Sequence, residues 1–138
     1  MLNETPAFFA LVIVLVPLIC FFLASPTFLL VPLHIPEVTR LLWGLFSAYF
    51  IIASLAAAVA TSVFAAAGKP ALAIGIALIA AFAFFARRWF LRRIDAELQA
   101  RDAGDGDAVR ELRRLHWTGM AANLVQLAVV IVMVPLVV

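Results

Sequence analysis

Charged residues are scarce in this chain of 138 residues: Asp, Glu, Lys and Arg together make up 13% of it, about half the share of a soluble domain. Hydrophobic residues make up 67%, and no soluble fold of this length has enough interior to bury so much apolar side chain. The composition therefore excludes a soluble enzyme, a nucleic-acid-binding module and a disordered chain. It predicts an integral membrane protein whose first partner is the lipid bilayer.

The chain also lacks the residues that membrane chemistry requires. The deep parts of its apolar stretches contain no Asp, Glu, Lys, Arg or His, whereas proton pumps and ion-coupled carriers place such groups inside the membrane. There is no Walker lysine motif, no His-Glu-x-x-His and no Gly-x-Ser-x-Gly. The single cysteine, Cys20, cannot form a disulfide within the chain. We therefore predict no enzyme activity, no catalytic or metal residues, no cofactor and no nucleic-acid partner.

Four long apolar stretches are present, at about 7–31, 41–67, 71–91 and 117–138. Each is near or above the roughly 20 residues with which a helix crosses a bilayer, and a lipid-exposed backbone must satisfy its hydrogen bonds within the segment. The predicted fold class is all-α: one four-span domain, 1–138, folded as a membrane four-helix bundle. Because Met1–Thr5 has no basic residue, we expect the first span to be retained rather than cleaved as a signal peptide.

The first span differs from the others in composition. It contains Pro17 and Pro26, each of which favours a kink in a helix, and it is rich in phenylalanine. Such a helix could cover the bundle, or it could face lipid or a partner subunit.

The basic residues predict the orientation. Arg40 lies beside the first connection, eight further arginines lie on or beside the third, and only Lys69 lies in the second, so nine of the ten basic residues share one side. The positive-inside rule puts that side in the cytoplasm. We therefore predict a bacterial inner membrane protein with a cytoplasmic 92–116 loop and with both termini outside.

Tryptophans and arginines recur together at the ends of the spans. An aromatic belt with arginines reaching lipid phosphates is typical of one membrane interface. The predicted interface anchors are Trp43, Trp89, Trp117, Arg40, Arg87, Arg88, Arg92, Arg93, Arg113 and Arg114.

The 92–116 loop itself has a helical pattern. Good helix formers fill 92–101, a turn composition follows at 103–106, and Asp105 or Asp107 can cap the next helix. We predict a short helical hairpin, a candidate docking surface, with a solvated connector as the alternative. Its apolar contacts would be Ile94, Leu98, Val109, Leu112 and Leu115.

Small and polar residues mark helix contacts in lipid, and they recur at helical spacing in three spans. We predict that these stripes meet in the bundle interior, with Asn123 and Gln126 as interhelical hydrogen-bonding groups worth about 1 kcal/mol each. A polar lining for a ligand is the alternative. The stripes are Ser47, Ser54, Ala58, Thr61 and Ala65 in the second span, Ala73, Ala77, Ala80 and Ala81 in the third, and Gly119, Ala122, Asn123 and Gln126 in the fourth.

Two histidines, His34 and His116, fall at the same predicted interface. Together they could bind haem or a metal ion. Paired haem ligands usually come from inside helices, however, and His34 lies between two prolines. The alternative is that each histidine serves the headgroup region.

Short motifs along the chain resemble the transmembrane protein 205-like family of small four-span membrane proteins. They are Ser25-Pro26-Thr27-Phe28-Leu29, Leu45-Phe46 with Tyr49-Phe50, Leu115-His116, and Asn123-Leu124-Val125-Gln126-Leu127. The resemblance implies four helices and points to Pro26, His116 and Asn123 as positions to test. It implies no reaction.

Three functions remain open. The first is a non-catalytic accessory subunit that packs against a larger membrane complex of respiratory or photosynthetic type, or against copies of itself. The second is a small-molecule or metal handling or export protein that acts as an oligomer. The third is a haem protein that uses His34 and His116.

Overall fold

The computed structural model describes residues 4–137, and the ends of the chain at 1–3 and 138 lie outside it. Four long helices run in order: α1 (Glu4–Ala24), α2 (Pro36–Ala66), α3 (Pro70–Asp102) and α4 (Ala108–Val137). Within residues 4–137 there is no β-strand. All four helices are long and apolar enough to cross a membrane. The predicted fold class, an all-α membrane four-helix bundle, is confirmed.

The bundle has a simple up-and-down order. Each helix packs on the next one in the chain, and α4 closes the ring by packing on α1. The contact between α2 and α3 is the most extensive, as expected for antiparallel helices joined by a three-residue turn. Large side chains fill the interior, among them Phe21, Phe46, Phe50, Phe64 and Ile76.

The first span is shorter as an α-helix than its apolar run. Helix α1 continues through Pro17 but ends at Ala24, and Ser25–Leu29 form a 3₁₀ segment. Pro26 has no backbone N–H, and its ring clashes with the carbonyl one turn back, which ends the α-helix here. The first candidate membrane span, Thr5–Leu29, is thus an α-helix with a tighter last turn.

Glycine ends two of the helices. Gly68 follows α2 with φ +72°, and Gly104 follows α3 with φ +92°, a left-handed conformation that costs little only in glycine. The backbone N–H of Lys69 donates to the carbonyl of Phe64 at 2.9 Å, and the turn after α3 contains the equivalent hydrogen bond. Both are Schellman ends, which reverse the chain within a few residues.

Helices α3 and α4 are joined as a helical hairpin over 92–116, as the sequence predicts. Ile94, Leu112 and Leu115 are buried between its arms, and Leu98 and Val109 pack against them. In the turn, the Asp105 carboxylate accepts the backbone N–H of Asp107 at 2.9 Å. The hairpin is a folded continuation of the bundle rather than a loose connector.

The predicted small-residue stripes coincide only in part with the buried faces. In α4 the stripe is buried, apart from half-buried Ala122. In α2, Ala58 and Ala65 are exposed and Ser54 and Thr61 are half-buried, while Ala57 and Ala60 are fully buried. In α3, Ala73 is buried, Ala77 and Ala80 are half-buried, and Ala81 is exposed. The inward face of α2 is shifted by one residue, about 100° around the helix, because the phenylalanines that fill the interior set its rotation.

Candidate functional site

A chain of polar side chains crosses the bundle interior between α1, α2 and α4. The Asn123 amide nitrogen donates to the Leu18 carbonyl at 3.0 Å and to the Tyr49 hydroxyl at 3.2 Å. The Tyr49 hydroxyl in turn donates to Gln126 Oε1 at 2.5 Å. We call Tyr49, Asn123 and Gln126 the polar core. It ties three of the four helices together.

The direction of these hydrogen bonds follows from the Leu18 carbonyl. A carbonyl can only accept, so the Asn123 nitrogen must face it, and the same nitrogen also faces Tyr49. The Tyr49 hydroxyl accepts from Asn123 and keeps its proton for Gln126 Oε1. The Gln126 nitrogen, Nε2, is buried and has no hydrogen-bond partner within residues 4–137.

Aromatic rings hold Tyr49 in place. Phe21 stacks on it with ring centroids 4.1 Å apart, and Phe50 lies 4.9 Å away on the same helix. Phe46, one turn earlier, occupies the space above Gly119, where an added Cβ would overlap its ring. The absence of a side chain at Gly119 therefore leaves the space that the Phe46 ring of α2 occupies against α4.

A second buried polar contact joins the end of α1 to α4. The Ser25 hydroxyl and His116 Nε2 lie 2.8 Å apart, and both residues are fully buried. Phe28 and Phe46 meet the imidazole edge-on. Within the described chain His116 Nδ1 has no partner. This contact fixes the 3₁₀ segment against α4.

The two histidines have different environments. His34 is exposed on the first connection, whereas His116 is enclosed with Nε2 engaged by Ser25. Ligation of haem through His116 Nε2 would require this contact to break. Across residues 4–137 no three His, Cys, Asp or Glu side chains are grouped as a metal site would need. The arrangement suits a structural histidine better than a ligand.

Two arginines clamp the first connection to the hairpin. Arg101 Nη1 donates to the Leu33 carbonyl at 3.2 Å and to the Thr39 hydroxyl at 2.8 Å. Arg113 donates to the carbonyls of Phe28 and Val31, the latter at 2.9 Å. The 30–35 connection and the 92–116 hairpin therefore share one end of the bundle, which we call the arginine-rich end.

Two of the predicted interface anchors, Arg87 and Arg113, form hydrogen bonds within the bundle. Arg113 turns inward to backbone carbonyls, and half-buried Arg87 donates to the buried Ser47 hydroxyl at 3.1 Å. A buried carbonyl or hydroxyl is costly if it is left unpaired, and these two arginines supply donors to such groups. The remaining predicted arginines are exposed: Arg40, Arg88, Arg92, Arg93 and Arg114.

The tryptophans lie at the arginine-rich end. Trp89 and Trp117 are about half exposed, and the Arg93 guanidinium lies 5.7 Å from the Trp89 ring centre. Trp43 is half-buried, and its indole N–H has no acceptor among the residues described. The positions of Trp89 and Trp117 suit an aromatic belt at a membrane interface.

An apolar groove separates α3 from α4 along the outside of the bundle. Its volume is about 620 Å³ and it is open on one side. Gln126 forms part of the wall, next to the small residues Ala121 and Ala122. Its lining includes Gly75, Phe82, Ala122, Val125, Gln126 and Met133. We call it the α3–α4 groove.

Sequence reasoning missed two members of these contacts. Tyr49 is the only tyrosine in the chain and lies inside a span. Because a hydroxyl in hydrocarbon needs a partner, the sequence could have predicted a buried hydrogen bond at Tyr49. Ser25 gave no such signal, because a serine beside a proline at a span end fits a turn equally well.

No protein-family model matches the chain, and comparisons with curated proteins and with solved structures find no significant match.

Proposed function

We propose that this membrane protein is a non-catalytic accessory subunit that packs against a larger membrane protein complex. The observation that carries the proposal is the folded hairpin at the arginine-rich end, which Arg101 and Arg113 clamp to the 30–35 connection. A passive connector needs no such clamp. A rigid, charged projection is suited to docking, because little conformational entropy is lost when it binds.

The interior of the bundle supports the same proposal. Asn123, Tyr49, His116 and Ser25 hydrogen-bond to one another or to backbone between helices. These groups stabilise the bundle and do not converge on a common point where a substrate would react. A non-catalytic role is thus the economical interpretation, and a respiratory or photosynthetic complex remains one class of partner.

The family resemblance is part of this proposal. Several motif residues that carry it, among them Ser25, Tyr49, His116, Asn123 and Gln126, have buried side chains that contact one another in pairs. Related membrane bundles would retain such buried interior contacts. For this reason we infer that the chain is related to the transmembrane protein 205-like family.

Site-specific photo-crosslinking in the native membrane tests the accessory role. A photoreactive phenylalanine analogue at exposed Gln99 on the hairpin should give one defined heteromeric product. The same analogue at exposed Val132, near the opposite end of the bundle, is the control and should give mainly lipid adducts. Extraction in mild detergent should then recover the chain with the same partner.

A chain that elutes as a monomer from mild detergent and gives no hairpin crosslink would contradict the accessory role. A homomeric product alone would replace it with self-association.

One observation favours a second candidate, a protein that handles a lipid-soluble small molecule. The α3–α4 groove is large enough for such a molecule, and Gln126 is a polar residue among those that line it. Uptake or release in liposomes measures this function, and flux equal to that of empty liposomes would remove the candidate.

A further inference from the structure

One atom of the polar core, Gln126 Nε2, forms no hydrogen bond between the helices of residues 4–137. Gln126 is 5% exposed, and its Oε1 accepts from Tyr49, but Nε2 finds no acceptor anywhere in residues 4–137. A buried amide nitrogen without a partner costs about 1–3 kcal/mol. Other buried polar atoms in residues 4–137 are also unpaired, Trp43 Nε1 and His116 Nδ1 among them, but Gln126 is the one of these residues that lines the α3–α4 groove. An unpaired donor needs an acceptor, and here the groove is where an acceptor from outside the chain can approach.

The depth of this nitrogen in the membrane restricts what the acceptor can be. Trp117 marks the interface, and Gln126 follows nine residues later on the same helix. At 1.5 Å per residue the separation is about 14 Å, close to half of the roughly 30 Å hydrocarbon thickness. Water is scarce there, and phospholipid ester carbonyls lie at the headgroup level.

The groove beside Gln126 is suited to an apolar occupant. Its volume of about 620 Å³ falls within the range of small-molecule sites. The lining is aliphatic and aromatic, with no charged side chain among its residues. Gln126 is one of the residues that line the groove, and its Nε2 is buried. The last side-chain torsion of glutamine is soft, so an occupant reaches this nitrogen once the amide turns one N–H toward the groove.

We propose that the α3–α4 groove binds an uncharged apolar molecule that carries a carbonyl oxygen, and that Gln126 Nε2 donates a hydrogen bond to this oxygen near the bilayer midplane. The chemistry is that of a quinone or ketone with an apolar tail: the ring lies between α3 and α4 and the tail follows the groove. The site is independent of the accessory role, because it lies within the membrane and away from the hairpin.

A binding titration in phosphatidylcholine nanodiscs tests the proposal. The probe is a benzoquinone with a ten-carbon alkyl chain, and the control ligand is the corresponding alkylbenzene without carbonyl oxygens. Quenching of tryptophan fluorescence reports quinone binding, because Trp89 lines the cavity adjoining the groove. The alkylbenzene does not quench, and its affinity is measured by competition with the quinone. We expect saturable binding of the quinone and at least fivefold weaker binding of the alkylbenzene.

Two variants separate the hydrogen bond from the fold. Gln126→Met keeps the volume and removes the donor, and it should weaken quinone binding roughly five- to tenfold, the loss of one hydrogen bond. Ser25→Ala breaks the buried contact with His116 and leaves Gln126 and its partner Tyr49 unchanged, so it should lower stability but keep the affinity within about twofold. Ala122→Leu narrows the groove and should weaken both ligands alike.

Equal affinity of the quinone for the parent chain and Gln126→Met would overturn the proposal. So would equal binding of the alkylbenzene, which would reduce the groove to a non-specific apolar surface.

A crosslinking test decides whether a second copy of the chain fills the groove instead. Leu78 and Val129 line the groove and are exposed. In a Cys20→Ala background, Leu78→Cys and Val129→Cys should give little disulfide-linked dimer. Efficient crosslinking that also abolishes quinone binding would assign the groove to the second copy and contradict the proposal.

Discussion

Among single residues, Asn123 has the largest role in joining the helices, because its side-chain nitrogen donates hydrogen bonds to two of them. It donates to the Leu18 backbone on α1 and to the Tyr49 hydroxyl on α2. The α1 contact needs no particular side chain at Leu18, since the acceptor is backbone. The polar core thus fixes the positions of three helices with only three side chains.

Replacement of Asn123 by leucine should destabilise the bundle by about 0.5–2 kcal/mol, the range for interhelical hydrogen bonds in membranes. The Tyr49–Gln126 bond would remain. Unfolding in a mixed-micelle denaturant titration measures the change. Thr118→Val is the control, since exposed Thr118 bonds only to the Arg114 carbonyl of its own helix. Equal effects of the two variants would mean that the polar core contributes nothing specific.

Gly119 predicts a steric effect of similar size. In Gly119→Ala the new Cβ overlaps the buried Phe46 ring, and overpacking of this kind costs about 1–3 kcal/mol. Gly44→Ala is the matched control, because a Cβ there meets nothing within 4 Å and alanine favours the helix. In the same unfolding titration, Gly119→Ala should lower the stability and Gly44→Ala should raise it slightly. Adding Phe46→Leu to Gly119→Ala should restore part of the lost stability. If Gly119→Ala is as stable as the parent chain, the Phe46 ring does not pack closely on Gly119.

At the scale of elements, the arginine clamp joins three pieces of chain that lie far apart in sequence. The last carbonyls of a helical segment have no partners within it. Arg113 supplies donors to one of these, on Phe28, and to the carbonyl of Val31 in the connection that follows. A cation also interacts favourably with this end of a helix. The position of the 30–35 connection therefore depends on α4.

Arg113→Met should loosen this connection. Loss of charged hydrogen bonds to two carbonyls should cost about 1.5–3 kcal/mol and raise the rate of hydrogen exchange at 30–35. Arg114→Met is the control: its side chain is 71% exposed and pairs only with Glu111, one turn away, so it should cost under about 0.5 kcal/mol. Exchange rates that change equally in both variants would count against the clamp.

At the scale of the whole molecule, the two connections that carry nine of the ten basic residues meet at one end. Lys69 lies at the other end of α3, whose 33 residues span about 50 Å. The charge asymmetry is therefore a property of the folded bundle as well as of the sequence. The orientation in the membrane stays a prediction from the positive-inside rule.

Cysteine labelling checks that orientation. In a Cys20→Ala background, Lys69→Cys should react with a membrane-impermeant maleimide added to intact cells, and Asp105→Cys should react only after the membrane is opened. Both positions lie in turns at opposite ends of α3. Labelling of residue 105 in intact cells would reverse the predicted topology, and labelling of both would contradict the four-span arrangement.

The number of spans, their approximate limits and the hairpin all follow from local properties of the sequence. The length of an apolar run decides whether a helix can cross hydrocarbon, and Gly68, Gly104 and Pro26 end helices through their own backbone preferences. None of these depends on what the helix packs against. The sequence also indicated Asn123 and Gln126 as interior groups, since amides in a span are costly unless paired.

Only the tertiary structure decided which faces meet and which polar groups pair. The rotation of α2 depends on where Phe46, Phe50 and Phe64 fit against three other helices, and this overrides the stripe of small residues. For the same reason Ser25 reached His116, Arg113 turned inward, and the Gln126 nitrogen was left unpaired among residues 4–137. These outcomes depend on distances between residues far apart in the chain, which no local pattern contains.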